Sequence, residues 1–197
     1  VTFADPLMDE MVTWLLENEV DVVSMSLEWT DGPMDGTHFS SEHIQRAIDG
    51  GITWVVAAGN SAKRHHVGTT VDIDLDSWVE LNPPSTEFNE FRMSPGGSAD
   101  LLLTWNDAGT DLDLCIFDME ALNDGVPTLV ACSEGPQGNG ELALESMSLT
   151  HSGATSRRYG YSIKHYSGGE AIYDTRIWGS GSLQYSNPAA SIGVPAN

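Results

Sequence analysis

An asparagine placed directly after an apolar run is the residue of this sequence best suited to chemistry. Residues 52–58 are continuously apolar, rich in β-branched side chains and bounded by glycines, which predicts a strand buried on both faces of a parallel sheet. Open α/β sheets hold their reactive groups just beyond the carboxyl ends of such strands, where Asn60 stands. A neutral amide donor at that point is suited to stabilising a developing oxyanion. A structural asparagine that caps the strand end is the alternative.

A first group of aspartates alternates along the sequence as the early ligands of a calcium loop do. Its members are Asp72, Asp74 and Asp76. Ser77 and Pro83 stand where an EF-hand has its glycine and its bidentate glutamate, so the segment is not an EF-hand. We predict either a calcium site or a solvated acidic turn here.

A second group of aspartates lies around a predicted strand and consists of Asp107, Asp111 and Asp113. Because side chains alternate along a strand, Asp111 and Asp113 point to one face of the sheet. Two carboxylates there repel each other unless a cation or hydrogen-bond donors lie between them. Calcium is the predicted cofactor, and hydrogen bonding to a neighbouring loop is the alternative.

The sulfur and imidazole groups give weaker signals. Cys115 and Cys132 each lie in a predicted strand, so they form either a cross-strand disulfide in an extracellular setting or two buried free thiols. No zinc-binding spacing is present. His65 and His66 have no third metal ligand placed by spacing, and we expect them on a surface loop.

The charge balance restricts the partners of this chain. Its 197 residues include 29 acidic and 8 basic side chains, for a formal net charge of -21. Such a charge repels nucleic acid and anionic lipid, so we expect neither as a partner. No apolar run approaches the ~20 residues needed to cross a membrane. Without an initiating Met or a secretory signal, Val1 is expected to be a boundary within a longer chain.

The first part of the chain has the periodicity of an α/β unit. A helix is predicted from Asp5 to near Asn18, with an apolar stripe formed by Met8, Met11, Val12, Leu15 and Leu16. A strand at 20–27 follows, then a loop. A second helix starts near Ser40 or Ser41 and is expected to bury Ile44, Ala47 and Ile48. The order strand, helix, strand predicts a parallel pair with a crossover.

The second part shows short runs typical of β-strands separated by turn residues, which predicts an antiparallel sandwich or jelly roll. The candidate strands are 77–81, 88–93, 99–105, 112–117, 128–132, 142–149, 159–166 and 172–177. The last segment, 187–194, is expected to return to the first sheet as a third strand. We therefore predict a partial α/β domain at 1–68, an inserted β-sandwich at 69–186 and a return segment at 187–197.

The paired strands around Met25 and Asn60 resemble those of the subtilisin-like serine peptidases. The resemblance rests on Met-Ser-Leu at 25–27 and Ala-Ala-Gly-Asn at 57–60, with a helix between. It implies that Asn60 is the oxyanion-hole residue and that two segments bind the substrate, namely Ser24, Met25, Ser26 and Leu27 together with Ala57, Ala58 and Gly59. Glu28 and Trp29 stand where the family usually has glycine, which puts the shape of the channel in question.

The resemblance also implies a secreted serine endopeptidase with a polypeptide substrate as the parent protein. The motifs of the catalytic Asp, His and Ser are missing from this sequence, so the chain alone is expected to be inactive. Leu-Leu-Leu-Thr-Trp at 101–105 and Asp-Leu-Asp-Leu at 111–114 resemble the pre-peptidase C-terminal type of β-sandwich, as does Tyr-Gly-Tyr-Ser-Ile at 159–163. Two alternatives remain: a module that binds calcium, protein or polysaccharide without a catalytic role, and a non-proteolytic α/β protein.

Overall fold

The chain divides into two compact units, one of residues 1–60 and 189–197 and one of residues 61–188. The computed structural model describes residues 5–27, 29, 38–84, 86–137, 143–179 and 181–189. A parallel α/β unit and an antiparallel β-sandwich are both present, which confirms the predicted fold class. None of the described helices is long and apolar enough to span a membrane.

Within the described part of the α/β unit there are two helices and two parallel strands. Their bounds are α1 Asp5–Glu17, β1 Val22–Met25, α2 Phe39–Asp49 and β2 Thr53–Val56. In the register of the pair, Met25 lies opposite Val56. Helix α2 begins after His38, whose Nδ1 accepts a hydrogen bond from the backbone N–H of Ser40 at 3.3 Å. This cap satisfies one of the free N–H groups at the helix start.

The two helices cover one face of this small sheet. Two apolar clusters lie between them and the strands, one around Met8, Met25 and Ile44, the other around Val12, Ala47 and Ile52. The prediction that residues 52–58 are buried on both faces is wrong, since Val55 is 51% exposed. Side chains of β1 and β2 alternate, and no described element of the unit covers the outer row of Val22, Ser24, Thr53 and Val55. Ile48, also predicted to be buried, is exposed on α2.

The described residues of the sandwich form eight strands in two four-stranded sheets. Their bounds are β3 His65–Thr69, β4 Asn89–Met93, β5 Ser98–Trp105, β6 Asp111–Asn123, β7 Val126–Ser133, β8 Leu144–Thr150, β9 Arg157–Ser167 and β10 Ile172–Trp178. The spatial orders are β3-β10-β5-β8 and β4-β9-β6-β7, and all named pairs are antiparallel. Strand β3 spans the boundary between residues 68 and 69 that was predicted from the sequence to separate the α/β domain from the sandwich.

One predicted strand, at 77–81, is wrong. The segment forms only an isolated bridge between Trp78 and Lys164. Leu75 and Ser77 have positive φ angles of 65° and 79°, which L-residues seldom adopt and which interrupt the extended conformation. Val79 and Leu81 still reach the core beyond this turn.

The sandwich core arises from alternation on facing strands. Along β5 every second side chain, from Ala99 to Trp105, is buried. The hydroxyl of Tyr161, at the centre, lies 3.0 Å from Asn89 Nδ2 and 2.6 Å from Thr175 Oγ1. These contacts satisfy a polar group that would otherwise be unpaired in an apolar interior.

Strand β3 was not predicted, and its two histidines are buried instead of lying on a surface loop. His65 Nε2 lies 2.8 Å from the carboxylate of Asp174 on the neighbouring strand β10. Its Nδ1 lies 3.0 Å from the carbonyl oxygen of Asn187. The sequence His-His-Val-Gly-Thr lacks apolar alternation, so hydropathy alone gave no sign of a strand.

The segment after β10 runs along one side of the sandwich. The backbone N–H groups of Leu183, Gln184 and Asn187 donate to the carbonyl oxygens of Lys63, Glu90 and His65 at 2.8–2.9 Å. The segment therefore covers the outer edges of β3 and β4. The predicted return strand falls largely on residues 190–197, which lie outside the described residues.

Candidate functional site

The carboxyl ends of β1 and β2 bring the two predicted substrate-binding segments to one edge of the sheet. Both strands run in the same direction, and the backbone N–H of Ala57 donates to the carbonyl oxygen of Met25 at 3.0 Å. Ser26 and Leu27 therefore leave the sheet at the same edge as the segment that begins at Ala57. This is the edge at which α/β folds place ligands.

The individual side chains at this edge differ in accessibility. Those of Ser26, Leu27 and Asn60 are exposed, whereas Met25 packs beneath the helices with Met8 and Ile44. Ser24 lies on the exposed outer row of the sheet. Gly59 has a φ of 77° and turns the chain sharply just before Asn60. The geometry presents the Asn60 amide to solvent, and its role as an oxyanion donor stays a prediction.

An aromatic group near the end of β1 was not predicted from the sequence. The ring of Trp29 lies 5.9 Å from that of His38 and 6.0 Å from that of Phe39. All three surround the start of α2, and Trp29 packs against the Met8 cluster. Trp29 thus anchors the segment that follows β1 to the helix layer. Glu28 lies outside the described residues.

The first aspartate group forms a compact acidic loop. Asp72 accepts hydrogen bonds from the backbone N–H groups of Leu75 and Ser77 at 2.7 and 2.9 Å, which holds the turn closed. Buried Glu80 accepts from the backbone of Ile73 at 2.9 Å.

The carboxylates of this loop form two groups that share Asp74. Ligand oxygens of Asp72, Asp74 and Glu80 lie within 4.8 Å of one another, as do those of Asp74, Asp76 and Glu87. Desolvation, followed by the negative charge of Asp76, raises the pKa of Asp74. The sequence pattern found the three aspartates and missed both glutamates, because these are brought in by the fold.

The second aspartate group is not brought together into a ligand cluster among the described residues. Asp107 closes its own loop by accepting from the N–H of Gly109 and the hydroxyl of Thr110, at 2.9 and 3.0 Å, which lowers its pKa. Asp111 and Asp113 are buried on β6. Burial, and next the charge of Asp111, raises the pKa of Asp113 to about 6, while Lys164 opposes this.

The two cysteines form a disulfide between neighbouring strands. Cys115 on β6 lies directly opposite Cys132 on β7, with a Cα–Cα distance of 4.1 Å. Of the two alternatives left open by the sequence, the structure therefore has the disulfide. The two sulfurs also lie near a carboxylate oxygen of Glu134, but oxidised sulfur is not a metal ligand of thiolate type.

Comparison with known proteins gives similarity of fold and none of sequence. No protein family and no curated protein matches the chain. Among solved structures, the CspB protease of Clostridium perfringens matches with a TM-score of 0.61 and 16% identity, over 99% of this chain and 45% of the other. The pre-peptidase C-terminal domain of a Bacillus anthracis collagenase matches 58% of this chain and 88% of its own length, with a TM-score of 0.37 and 13% identity. The chain thus shares its fold with somewhat less than half of a bacterial protease.

Proposed function

We propose that the chain is a piece of a secreted, subtilisin-like serine endopeptidase. One observation carries this proposal: the parallel strands β1 and β2 end at the same edge of the sheet, and the segments 26–27 and 57–60, with an exposed Asn60, follow directly after them. The similarity of the whole chain to part of the CspB protease supports the same reading. The sandwich lies, in sequence, directly after Asn60.

In this proposal Asn60 acts when charge develops on the substrate. A serine from another part of the parent protein attacks the peptide carbonyl of the substrate, and a histidine takes the proton of the serine hydroxyl. The Asn60 side-chain N–H donates to the oxyanion that forms, while the backbone of 24–27 and the wall formed by Ala57, Ala58 and Gly59 hold the substrate chain. Since the triad motifs are missing from this sequence, the 197-residue chain by itself is expected to hydrolyse no substrate.

The sandwich adds two properties to the proposal. The Cys115–Cys132 disulfide is the kind of bond that persists in oxidising compartments, which favours secretion. The two carboxylate groups that share Asp74 favour a calcium ion at residues 72–76, held with Glu80 or Glu87, because hard oxygen ligands suit this cation. Calcium there would neutralise repulsion within the acidic loop and stabilise the sandwich.

Labelling of the parent protein tests the peptidase proposal. The parent protein is expressed from the complete reading frame that contains this chain. It is then treated with a fluorophosphonate, which reacts with activated serines. We expect the parent to be labelled and to hydrolyse a casein substrate, and the 197-residue chain to do neither. A parent that lacks the Asp, His and Ser motifs, or that stays unlabelled while folded, would contradict the proposal.

Thermal melting tests the calcium proposal separately. Calcium bound only by the folded state raises the melting temperature, and we expect Asp74→Asn to remove this shift because Asp74 belongs to both carboxylate groups. Asp124→Asn, at the tip of the β6–β7 hairpin, makes the same change in charge and should leave the shift intact. An equal response of the two variants, or no response of the unmodified chain to calcium, counts against the site.

A further inference from the structure

The two sides of the sandwich differ in how their strand edges are covered. Residues 181–187 run along β3 and β4 and bond to their backbones. On the opposite side, β7 pairs with β6 and with no second strand among the described residues. An unpaired edge presents backbone N–H and C=O groups that another extended chain can join.

The side chains of β7 do not protect this edge. Its eight residues, Val-Pro-Thr-Leu-Val-Ala-Cys-Ser, include no charged residue, and Val126, Leu129 and Val130 are exposed. Natural proteins usually block open edges with lysines, prolines or inward-pointing charges. Pro127 lies near the start of the strand and leaves the rest unblocked.

The disulfide indicates which backbone groups face outward. A Cα–Cα distance of 4.1 Å is typical of a non-hydrogen-bonded pair in an antiparallel ladder. The N–H and C=O of Cys132 therefore point away from β6, toward the open side. Covalent attachment to β6 also keeps this part of β7 extended before any partner arrives.

The charges around the edge select the kind of partner. Residues 93–156, which include β5 to β8, contain no lysine or arginine. Asp124 and Glu134 lie in or next to the β6–β7 hairpin, as does Glu120, whose carboxylate is 3.8 Å from the guanidinium of Arg92. The basic residues of the sandwich all lie outside this stretch, at Lys63, Arg64, Arg92, Arg157, Arg158, Lys164 and Arg176. The edge therefore favours a cationic partner.

We propose that the outer edge of β7 binds an extended polypeptide segment with basic side chains, which joins the sheet as an additional strand. Backbone hydrogen bonds supply affinity, and the surrounding carboxylates supply the preference for lysine and arginine. A second copy of this chain is a poor occupant, because two molecules with a net charge of -21 repel each other. The proposal does not depend on the peptidase function.

Fluorescence anisotropy with the whole 197-residue chain tests this binding. The probe is a labelled peptide of alternating valine and lysine, matched in length to the eight residues of β7. Its control carries N-methyl groups at every second residue, which preserves the charge and removes the hydrogen-bond donors of one edge. We expect the control to bind at least about tenfold more weakly, as the loss of a few backbone hydrogen bonds implies.

Two lysine variants locate the binding edge. Leu129 on β7 is 53% exposed and Ile172 on β10 is 52% exposed. Leu129→Lys and Ile172→Lys therefore add the same charge and remove a similar amount of exposed apolar surface. Leu129→Lys should weaken peptide binding by about tenfold or more, whereas Ile172→Lys should change it by no more than about twofold. Equal melting temperatures of the two variants show that both are folded. The proposal would be overturned if the chain bound neither peptide, or if it bound the N-methylated peptide as tightly as the unmodified one. It would also be overturned if both lysine variants lost binding equally, or if the chain associated with itself and Leu129→Lys abolished that association.

Discussion

The α/β unit and the sandwich differ in how completely each covers its sheets. In the sandwich, the inner faces of two four-stranded sheets form one buried cluster that includes Leu103, Ile163 and Tyr173. In the α/β unit, two helices cover one face of a two-stranded sheet, and the other face carries the exposed pair Val22 and Val55. Apolar strands are thus buried in the sandwich and partly exposed in the α/β unit, because the burial of a strand depends on which elements cover it.

This difference bears on function. The outer row of Val22, Ser24, Thr53 and Val55 belongs to the same strands whose ends hold the predicted substrate-binding residues. In the proposed peptidase, further elements of the catalytic domain cover this row and fix those strand ends. The sandwich has its own core and can be stable without them.

The contrast in burial predicts the largest difference in stability. Leu103→Ala removes a fully buried side chain and should lower the free energy of unfolding of the sandwich by about 2–5 kcal/mol. Val55→Ala, on the exposed row, should change stability by less than about 0.5 kcal/mol. Urea unfolding followed by circular dichroism measures both. Comparable losses would show that the outer row is covered.

Removal of the disulfide should affect the sandwich alone. The double variant Cys115→Ala, Cys132→Ala opens a cross-link between residues 17 apart, which should lower the free energy of unfolding by about 3 kcal/mol. Hydrogen exchange should show faster opening in β6 and β7 and unchanged protection in α1 and α2. Equal acceleration in both units would contradict an effect confined to the sandwich.

Acid should weaken the sandwich through a buried histidine. Burial, and next the charge of His65, lowers the pKa of His66 to about 4, below the value of about 6.5 expected in the unfolded chain. The unfolded state therefore binds the proton more readily, and the stability that His66 contributes is lost as the pH falls from about 6.5 toward 4. His66→Gln should reduce this loss by on the order of 1 kcal/mol, measured by urea unfolding at pH 7.5 and 4.5. A variant whose stability falls with pH as steeply as that of the unmodified chain would contradict this.

The smallest effect is expected at the ion pair between the two helices. Arg46 contacts Asp9 across α1 and α2, and both side chains are largely exposed. Solvent screens such pairs, so Asp9→Asn should lower the free energy of unfolding by less than about 1 kcal/mol. Glu10→Gln on the same helix is the matched control. A loss as large as that of Leu103→Ala would mean that the helix pair is far less hydrated than its exposure indicates.

Periodicity in the sequence predicted the helices and most strands, because each depends on local alternation that the fold preserves. It missed β3, where buried His65 contacts Asp174 and Asn187, more than a hundred residues away in sequence. It wrongly predicted a strand at 77–81, because hydropathy does not report the positive φ angles of Leu75 and Ser77. Short-range patterns are readable from sequence, whereas partners supplied by distant strands are not.

The same limit applies to the candidate sites. Asn60 was singled out because its signal is local, an amide after a strand, and its role as an oxyanion donor stays a prediction. Glu80 and Glu87 were missed because only the fold brings them to Asp74. Asp107, Asp111 and Asp113 do not form a ligand group among the described residues, and Asp107 instead accepts hydrogen bonds within its own loop.

The turnover of the complete peptidase with Asn60→Ala tests the central proposal most directly. We expect kcat to fall by about 10²–10³-fold with little change in KM, because the lost hydrogen bond forms in the transition state; this magnitude is the one established for subtilisin itself. Ile172→Ala, at an exposed position on β10 of the sandwich, serves as the control and should leave kcat unchanged. A folded Asn60→Ala enzyme that retains the kcat of the unmodified enzyme would show that Asn60 is structural.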